Sequence, residues 1–160
     1  MSGLPLSDVK VLDLTRLRPG GFCSLLLADL GAEVLKVEDT GMGDYVRWSP
    51  PHYEGADQSA GSALFLSLNR GKRSIRINLK SDEGREVLLK LVRESDVLRE
   101  SFRPGVLERL GVGYERLKQE TWGDYAVSQR AGVTGFPTLV GGPNEEGVYG
   151  VVTRGCAPAE

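Results

Sequence analysis

The first 38 residues follow the order strand, glycine-rich loop, helix and strand, and this order restricts the chain to few folds. Residues 9–15 alternate apolar and polar positions and are rich in branched side chains, which predicts a strand. Residues 16–21 contain a proline and two glycines and predict a loop, and residues 22–30 repeat apolar side chains at helical spacing. Residues 33–38 predict a second strand. Two strands joined through a helix pair in parallel, so the sequence predicts an α/β fold.

This unit raises the hypothesis of a dinucleotide site, because Glu38 ends the second strand where such folds carry an acidic residue. The loop over residues 18–22 reads RPGGF and lacks the G-x-G-x-x-G spacing that lets a pyrophosphate approach the helix. We therefore set an NAD site aside. A helix N-terminus beside Arg16 and Arg18 still favours an anion.

A basic turn in residues 68–80 (LNRGKRSIRINLK) is the strongest candidate for binding chemistry. Arg70, Lys72 and Arg73 place three cations within four residues of a chain whose formal net charge is −2. Concentrated positive charge on an acidic protein indicates a local anionic ligand. The alternative is a solvated turn before an edge strand, in which residues 75–80 alternate between two faces.

The remaining chain alternates loops with short regular elements. Residues 39–67 are rich in turn formers and predict a long loop that is functional or docks on a partner. Ser81 is the predicted N-cap of a helix. The predicted buried stripe of that helix consists of Val87, Leu88, Leu91 and Val92, and it is followed by a strand at 96–98 and short helices at 106–110 and 114–119.

Composition excludes several classes of protein. A pI near 5.6 without a dominant basic face argues against nucleic-acid binding. The N-terminus does not resemble a signal peptide and no apolar run is long enough for a membrane span, so we expect a cytoplasmic protein without membrane contact. Cys23 and Cys156 are far apart in sequence and form no cluster with a histidine, so we expect no metal site. His52 lies in a proline-rich loop and is expected to be an exposed loop residue.

From about residue 6 to residue 120 the sequence resembles the N-terminal part of the family III CoA-transferases, which include the alpha-methylacyl-CoA racemases. The segments VLDLTRLRPGGFCSLLLADLGAEVLKVE, GDYVR and FLSLNRGKRSIRINLKSDEGREVLLKLVRESDVLRESFRPGVLERLGVGYERL carry the resemblance in order. It implies a Rossmann-like parallel sheet with flanking helices and an interlocked homodimer. It also implies acyl-CoA and a carboxylic acid as substrates, with no permanently bound cofactor.

The same resemblance implies which residues contact CoA. Arginine forks suit its phosphates, and apolar side chains suit its adenine. Ser101 departs from the usual asparagine, and Asp39 and Thr40 stand where the family often has Arg-Pro or Pro-Pro, so an aspartate would repel phosphate there. The implied cofactor-binding residues are Arg18, Leu68, Asn69, Arg70, Lys72, Arg73, Phe102, Arg103 and Arg109.

The resemblance stops near residue 120, and the family's catalytic groups match no position in this chain. Residues 124–160 instead resemble the C-terminal part of DsbA-like, thioredoxin-fold proteins through GVTGFPT at 132–138, where Pro137 is expected to be cis. The C-x-x-C of such proteins is missing. We therefore expect two incomplete pieces, a CoA-transferase region at 1–120 and a DsbA-like fragment at 121–160, with open sheet edges and exposed apolar patches.

Three functional hypotheses follow from these resemblances. The first is a truncated CoA-binding portion of a CoA-transferase, whose parent reaction moves CoA between carboxylic acids through acyl-enzyme and thioester intermediates. The second is an acyl-CoA racemase acting by α-proton abstraction. The third is a non-catalytic CoA- or nucleotide-binding module, or a DsbA-like remnant without redox chemistry.

Overall fold

Four parallel strands form the part of the sheet that positions the candidate site. The structure is a computed structural model that describes residues 3–57, 59–103, 105–120, 125–127, 143–144, 147–148 and 150–154. The strands are β1 (Lys10–Asp13), β2 (Glu33–Glu38), β3 (Arg73–Arg76), β4 (Val97–Glu100), β5 (Tyr125–Val127), β6 (Pro143–Asn144), β7 (Gly147–Val148) and β8 (Gly150–Arg154). The helices are α1 (Leu17–Asp29), a 3-10 turn (Tyr45–Trp48), α2 (Ala63–Asn69), α3 (Asp82–Arg93), α4 (Val106–Arg109) and α5 (Tyr114–Glu120).

The sheet has the order β3-β2-β1-β4-β8-β5. β1 pairs in parallel with β2 on one side and with β4 on the other, and β3 pairs in parallel with β2. This arrangement confirms the predicted α/β class. The chain leaves β1 toward β2 and later returns to its other side at β4, which creates the crevice at the carboxyl ends of strands where such sheets bind ligands.

The described strands of the C-terminal region extend this same sheet. β8 pairs antiparallel with β4, and β5 pairs antiparallel with β8. Open sheet edges were expected from the sequence, and β8 covers the edge of β4. The thioredoxin-like resemblance is not confirmed, and Pro137 and Cys156 lie outside the described residues.

The helix α1 begins earlier than the sequence predicted. The predicted loop over residues 16–21 is wrong, since the helix starts at Leu17. Proline is tolerated in a first helical turn, where its missing N–H has no intrahelical acceptor. A Cβ on Gly20 would lie 2.2 Å from the side chain of Thr15, so the glycine allows the helix to lie directly against the end of β1.

The helix α3 covers the opposite side of the core. Ser81 is its N-cap and accepts a hydrogen bond from the N–H of Gly84, as predicted. The predicted stripe is wrong at Val87, which is 39% exposed, because Leu89 takes the buried position. The main core beneath the helix consists of Leu12, Leu14, Val37, Ile77, Leu88, Leu89, Val92, Leu98, Val112 and Leu117.

The predicted loop at residues 39–67 contains two short helical elements. The 3-10 turn starts after Asp44, whose carboxylate accepts from the N–H of Val46, and α2 starts after Ser62, which caps Phe65. His52 is half-buried rather than exposed, and its Nε2 lies 3.2 Å from the carbonyl oxygen of Arg47. The segment is therefore anchored to the domain by its polar side chains.

Candidate functional site at the carboxyl edge of the sheet

A pocket opens where β1, β2, β3 and β4 end. The segments that follow all four strands contribute to it, which matches the position expected for a ligand in a parallel sheet of this order. Its floor is apolar and its rim is charged. The lining residues are Leu14, Arg16, Val37, Glu38, Asp39, Ile77, Asn78, Leu79, Lys80, Phe102 and Leu110.

Arg16 is the central cation of this pocket. Its guanidinium carbon lies 5.3 Å from the centre of the Phe102 ring and 5.7 Å from that of Tyr45. One nitrogen lies 3.5 Å from the carboxylate of Asp39. The backbone N–H of Arg16 donates to Ser101 Oγ at 2.9 Å. Cation–π contacts and this backbone anchor hold the guanidinium at the pocket while its side chain stays 31% exposed and accessible to a ligand.

Glu38 closes the inner wall of the pocket. It accepts hydrogen bonds from Arg47, from the hydroxyl of Ser74 and from the N–H of Asp44. Burial on its own would raise the pKa of this carboxyl, but the hydrogen bonds from Arg47, Ser74 and the backbone outweigh it and hold the pKa at about 2. Glu38 is thus fully engaged within the protein and is not available to a ribose hydroxyl.

A second polar network lies beneath the N-terminal half of α1. Asp13 is fully buried and accepts from the hydroxyls of Thr15 and Ser24. Lys36, also buried, donates to the carbonyl of Thr15 at 2.9 Å and pairs with Asp44 at 2.8 Å. These contacts fix the segment after β1 that carries Arg16.

Lys72 belongs to this network. Its Nζ donates to the carbonyl of Gly21 and to Ser24 Oγ, both at 2.8 Å, and to Asn69 Oδ1 at 3.1 Å. Burial lowers the pKa of Lys72 to about 8. The three acceptors occupy all three ammonium protons, so Lys72 fastens the basic turn to α1 and would contact a phosphate only by giving up one of them.

Leu68, Arg70 and Arg73 of the basic turn also have partners within the protein. Leu68 is buried beneath Gly21. Arg70 pairs with Asp29 at 2.5 Å, and Arg73 pairs with Glu33 on the sheet surface. The start of the turn is therefore a packed junction between α2, β3 and α1, and Arg70, Lys72 and Arg73 do not converge on the pocket, whereas Lys80 lines it.

The arginines that follow β4 are differently placed. Arg103 and Arg109 are exposed and have no ion pair among the described residues. Each is adjacent in sequence to a residue that lines the pocket, Phe102 and Leu110 respectively. Arg18 is exposed in the first turn of α1 and does not line the pocket.

Of the nine residues implied by the resemblance, only Phe102 lines the pocket directly. The sequence placed Arg16 beside a helix N-terminus but did not predict its contact with Tyr45, or that Ile77 and Lys80 line the same pocket. The position of Arg16 directly after β1 is the signal that could have placed it, because residues that follow parallel strands meet at one edge.

Glu100 provides a pH-dependent test of this edge. It ends β4, and its carboxylate accepts from the N–H of Phe102 at 2.6 Å. Burial raises the pKa of Glu100 to about 7 from an ordinary 4.5, against the opposing effect of that hydrogen bond. The folded state therefore holds this proton more tightly than the unfolded chain. The stability it contributes is complete below about pH 4.5 and is lost as the pH rises through 7.

The variant Glu100→Gln should be more stable than the wild type by about 1–2 kcal/mol at pH 8 and no more stable at pH 4.5. Urea denaturation at both pH values measures this difference, and Glu86→Gln on the exposed face of α3 is the matched control with no pH-dependent difference. An equal effect of Glu100→Gln at both pH values would contradict the raised pKa of Glu100.

Neither a metal centre nor a membrane span emerges from the described part of the chain. None of its helices combines the length and the apolar character that a membrane crossing needs. Its His, Cys, Asp and Glu side chains form no group of three that would hold a metal ion.

Comparison with known proteins decides the family. The sequence model of CoA-transferase family III matches residues 6–121. The chain belongs to CoA-transferase family III. Its candidate functional site is the pocket at the carboxyl ends of the parallel strands, the carboxyl-edge pocket.

Two similar proteins carry the names of CoA-transferases. Succinyl-CoA:mesaconate CoA-transferase of Haloarcula marismortui is 47% identical over 114 residues, covering 71% of this chain and 28% of that protein. Succinyl-CoA:glutarate CoA-transferase of Homo sapiens is 39% identical over 150 residues, covering 86% of this chain and 33% of that protein. The chain thus spans about a third or less of the length of these relatives.

A solved structure supports the fold. The crystal structure of a CAIB/BAIF family protein from Brucella suis superimposes with a TM-score of 0.68 at 40% identity, over 75% of this chain and 32% of that one. The parallel sheet and its flanking helices therefore correspond to about a third of that larger chain.

Proposed function

We propose that this chain is the CoA-binding portion of a family III CoA-transferase and that the nucleotide end of CoA occupies the carboxyl-edge pocket. The observation that carries the proposal is the partly exposed guanidinium of Arg16, which lies 5.3 and 5.7 Å from the ring centres of Phe102 and Tyr45 at a pocket with an apolar floor. CoA presents the matching chemistry, since an arginine fork suits its phosphates and an apolar wall suits its adenine.

Charge around the pocket is consistent with a polyanionic ligand. Lys80 lies on the rim, and Arg103 and Arg109 extend from the segment that follows β4. Two carboxylates are among the described lining residues, and Glu38 is already paired with Arg47. Asp39 would repel a phosphate, and it pairs with Arg16 at 3.5 Å. CoA binding in this proposal replaces that pair with a contact between Arg16 and phosphate. The remaining residues implied by the resemblance support the pocket indirectly, through the junction of the basic turn with α1.

Opposite effects of two substitutions test the pocket. Arg16→Ala should weaken CoA binding about 10- to 100-fold, because a charge-assisted hydrogen bond contributes about 1.5–3 kcal/mol. Asp39→Asn should strengthen binding, because it removes a competitor for Arg16 and a repulsive charge. Calorimetric titration with CoA measures both, with Arg116→Ala on the exposed face of α5 as the control of equal charge change. Wild-type protein that binds no CoA at millimolar concentration would refute the proposal.

Transfer activity is a separate part of the proposal. The names of the relatives support CoA transfer between carboxylic acids over racemisation. The catalytic aspartate that the resemblance implies has no matching position in this chain, so we propose binding without turnover. Incubation with succinyl-CoA and mesaconate, followed by chromatography of the CoA thioesters, should give no mesaconyl-CoA above the protein-free rate. Enzymatic formation of mesaconyl-CoA would contradict this part while leaving the binding site intact.

A further inference from the structure

Asp39 is the first residue after β2, and one of its carboxylate oxygens is open to a ligand of the carboxyl-edge pocket. Its Oδ1 accepts from the N–H of Gly41 at 2.8 Å, which fixes the carboxylate in a tight turn. Its Oδ2 lies 3.5 Å from Nη2 of Arg16, beyond the usual hydrogen-bond range of about 2.7–3.2 Å. The side chain is 36% exposed and lines the pocket. Oδ2 can therefore accept from a ligand without breaking a short contact within the protein.

The neighbouring acid, Glu38, does not have this freedom. Its two carboxylate oxygens accept from Arg47, and they also accept from the hydroxyl of Ser74 and the N–H of Asp44. In parallel sheets that bind adenine nucleotides, an acidic residue at the end of the second strand accepts from a ribose hydroxyl. A ribose in the pocket would therefore contact Asp39 rather than Glu38.

The chemistry of a carboxylate determines which sugar suits Asp39. A carboxylate accepts hydrogen bonds and donates none, so it favours a ribose that presents free hydroxyls. In CoA the 3′-hydroxyl carries a phosphate, which offers no donor and places negative charge beside the carboxylate. In 3′-dephospho-CoA both ribose hydroxyls are free, and the 5′-diphosphate that suits Arg16 is unchanged. The adjacent Asp39 and Arg16 therefore fit a free ribose diol next to a diphosphate.

We propose that Asp39 makes the pocket selective for an adenine nucleotide with a free ribose diol, so that the chain binds 3′-dephospho-CoA more tightly than CoA. This selectivity rests on the proposed function, since it takes a nucleotide of the CoA type as the ligand of the pocket. Asp39 attracts the form with the hydroxyl and repels the form with the phosphate. Lys80 is exposed on the same rim and offsets part of the repulsion, so we expect a difference of about tenfold.

Calorimetric titration of the full chain with CoA and with 3′-dephospho-CoA tests the selectivity. The wild type should bind 3′-dephospho-CoA about tenfold more tightly than CoA. Asp39→Asn should raise the affinity for CoA and lower that for 3′-dephospho-CoA, so that the preference disappears. An affinity for CoA that equals or exceeds that for 3′-dephospho-CoA in the wild type, or a preference that survives Asp39→Asn, would overturn the selectivity and leave the proposed function in place. A chain that binds neither nucleotide would refute the proposed function itself.

Asp57→Asn is the matched control for Asp39→Asn. Asp57 is exposed and does not line the pocket, and its Oδ1 accepts from the N–H of Ser59, two residues later, as Oδ1 of Asp39 accepts from Gly41. Asparagine keeps an oxygen acceptor for these N–H groups, so both variants should keep the wild-type urea midpoint. Asp57→Asn should leave the ratio of the two affinities unchanged. An equal change of this ratio in both variants would attribute the preference to net charge and overturn the role of Asp39.

Two further titrations separate the contacts of the sugar from those of the diphosphate. Arg16→Ala should weaken both nucleotides by the same factor, because both carry the 5′-diphosphate. A loss confined to CoA would place Arg16 at the 3′-phosphate and overturn the arrangement. ADP and 3′-deoxy-ADP lack the 3′-phosphate and differ only in the hydroxyl, so the wild type should bind ADP more tightly and Asp39→Asn should reduce the difference. Equal binding of ADP and 3′-deoxy-ADP to the wild type would exclude the contact between Asp39 and the ribose hydroxyl.

Discussion

Replacing Arg47 with alanine should lower the free energy of unfolding by about 3–5 kcal/mol, as expected when one partner of a buried ion pair is removed. Arg47 donates from Nε and Nη2 to the two carboxylate oxygens of Glu38, at 2.6 and 2.7 Å. The side chain of Glu38 is 1% exposed, so water does not replace the lost donors. The guanidinium also stacks 3.8 Å from the centre of the Phe65 ring, and this contact disappears as well.

The pH dependence identifies the cause of the loss. The pKa of Glu38 is lowered to about 2, so its stabilising contribution is present above about pH 4.5 and is lost as the pH falls toward 2. The difference between Arg47→Ala and the wild type should therefore be largest near pH 7 and should shrink in acid. Urea denaturation across this range measures it. Arg73→Ala is the matched control, because its pair with Glu33 has side chains 69% and 48% exposed and should contribute less than about 1 kcal/mol. Equal losses in the two variants would contradict the buried pair.

Local pattern predicted the sheet because the strands that carry it are short and rich in branched residues. The bounds of β2 at residues 33–38 are confirmed, and β1 lies within the predicted range. The same pattern gave no sign that Lys36 of β2 is buried, at 1% exposure. Its burial depends on Asp44 and on the carbonyl of Thr15, which come from other segments. Pairing between segments is not encoded in the alternation of a single strand.

Glycine misled the prediction of α1. Gly20 and Gly21 read as loop residues because glycine is a poor helix former. In the structure both lie inside the helix, and Gly20 allows the helix to contact Thr15, whereas a Cβ on Gly21 would make only an ordinary contact with Leu68. Tertiary packing therefore overrides local propensity at the point where the candidate site begins.

The candidate site was likewise predicted only in part from the sequence. Phe102 could be reached from the resemblance, and it lines the pocket. The basic turn looked like the strongest anion site because its cations are close in sequence, but Lys72 turns toward Gly21 and Ser24, which lie 51 and 48 positions away. Cations that are close in sequence predict an anion site only when it is known which residues of the protein already bind them. Arg16 shows the converse, since Tyr45 and Phe102 assemble around it from distant segments.

Replacing Gly84 with alanine should destabilise the protein by about 3 kcal/mol, although helix propensity alone predicts the opposite sign. Alanine is favoured over glycine inside a helix by about 1 kcal/mol. Gly84 is in the first turn of α3, however, and a Cβ there would lie 2.0 Å from the carbonyl oxygen of Asn78 and 2.7 Å from its carbonyl carbon. Both are backbone atoms, so relief requires a shift of the helix or of the chain around Asn78. Such overpacking costs at the upper end of the usual 1–3 kcal/mol or beyond it.

The chain around Asn78, which Gly84→Ala would displace, is part of the proposed CoA site. Asn78, Leu79 and Lys80 line the pocket, so Gly84→Ala should also weaken CoA binding in calorimetric titration. Gly21→Ala is the matched control, because Gly21 is also helical and a Cβ there would lie 3.6 Å from Leu68, an ordinary contact. We expect Gly21→Ala to keep or raise the urea midpoint while Gly84→Ala lowers it. If both glycine variants unfold at the same urea concentration, the close approach of α3 to Asn78 does not govern stability, and helix propensity decides the outcome at both positions.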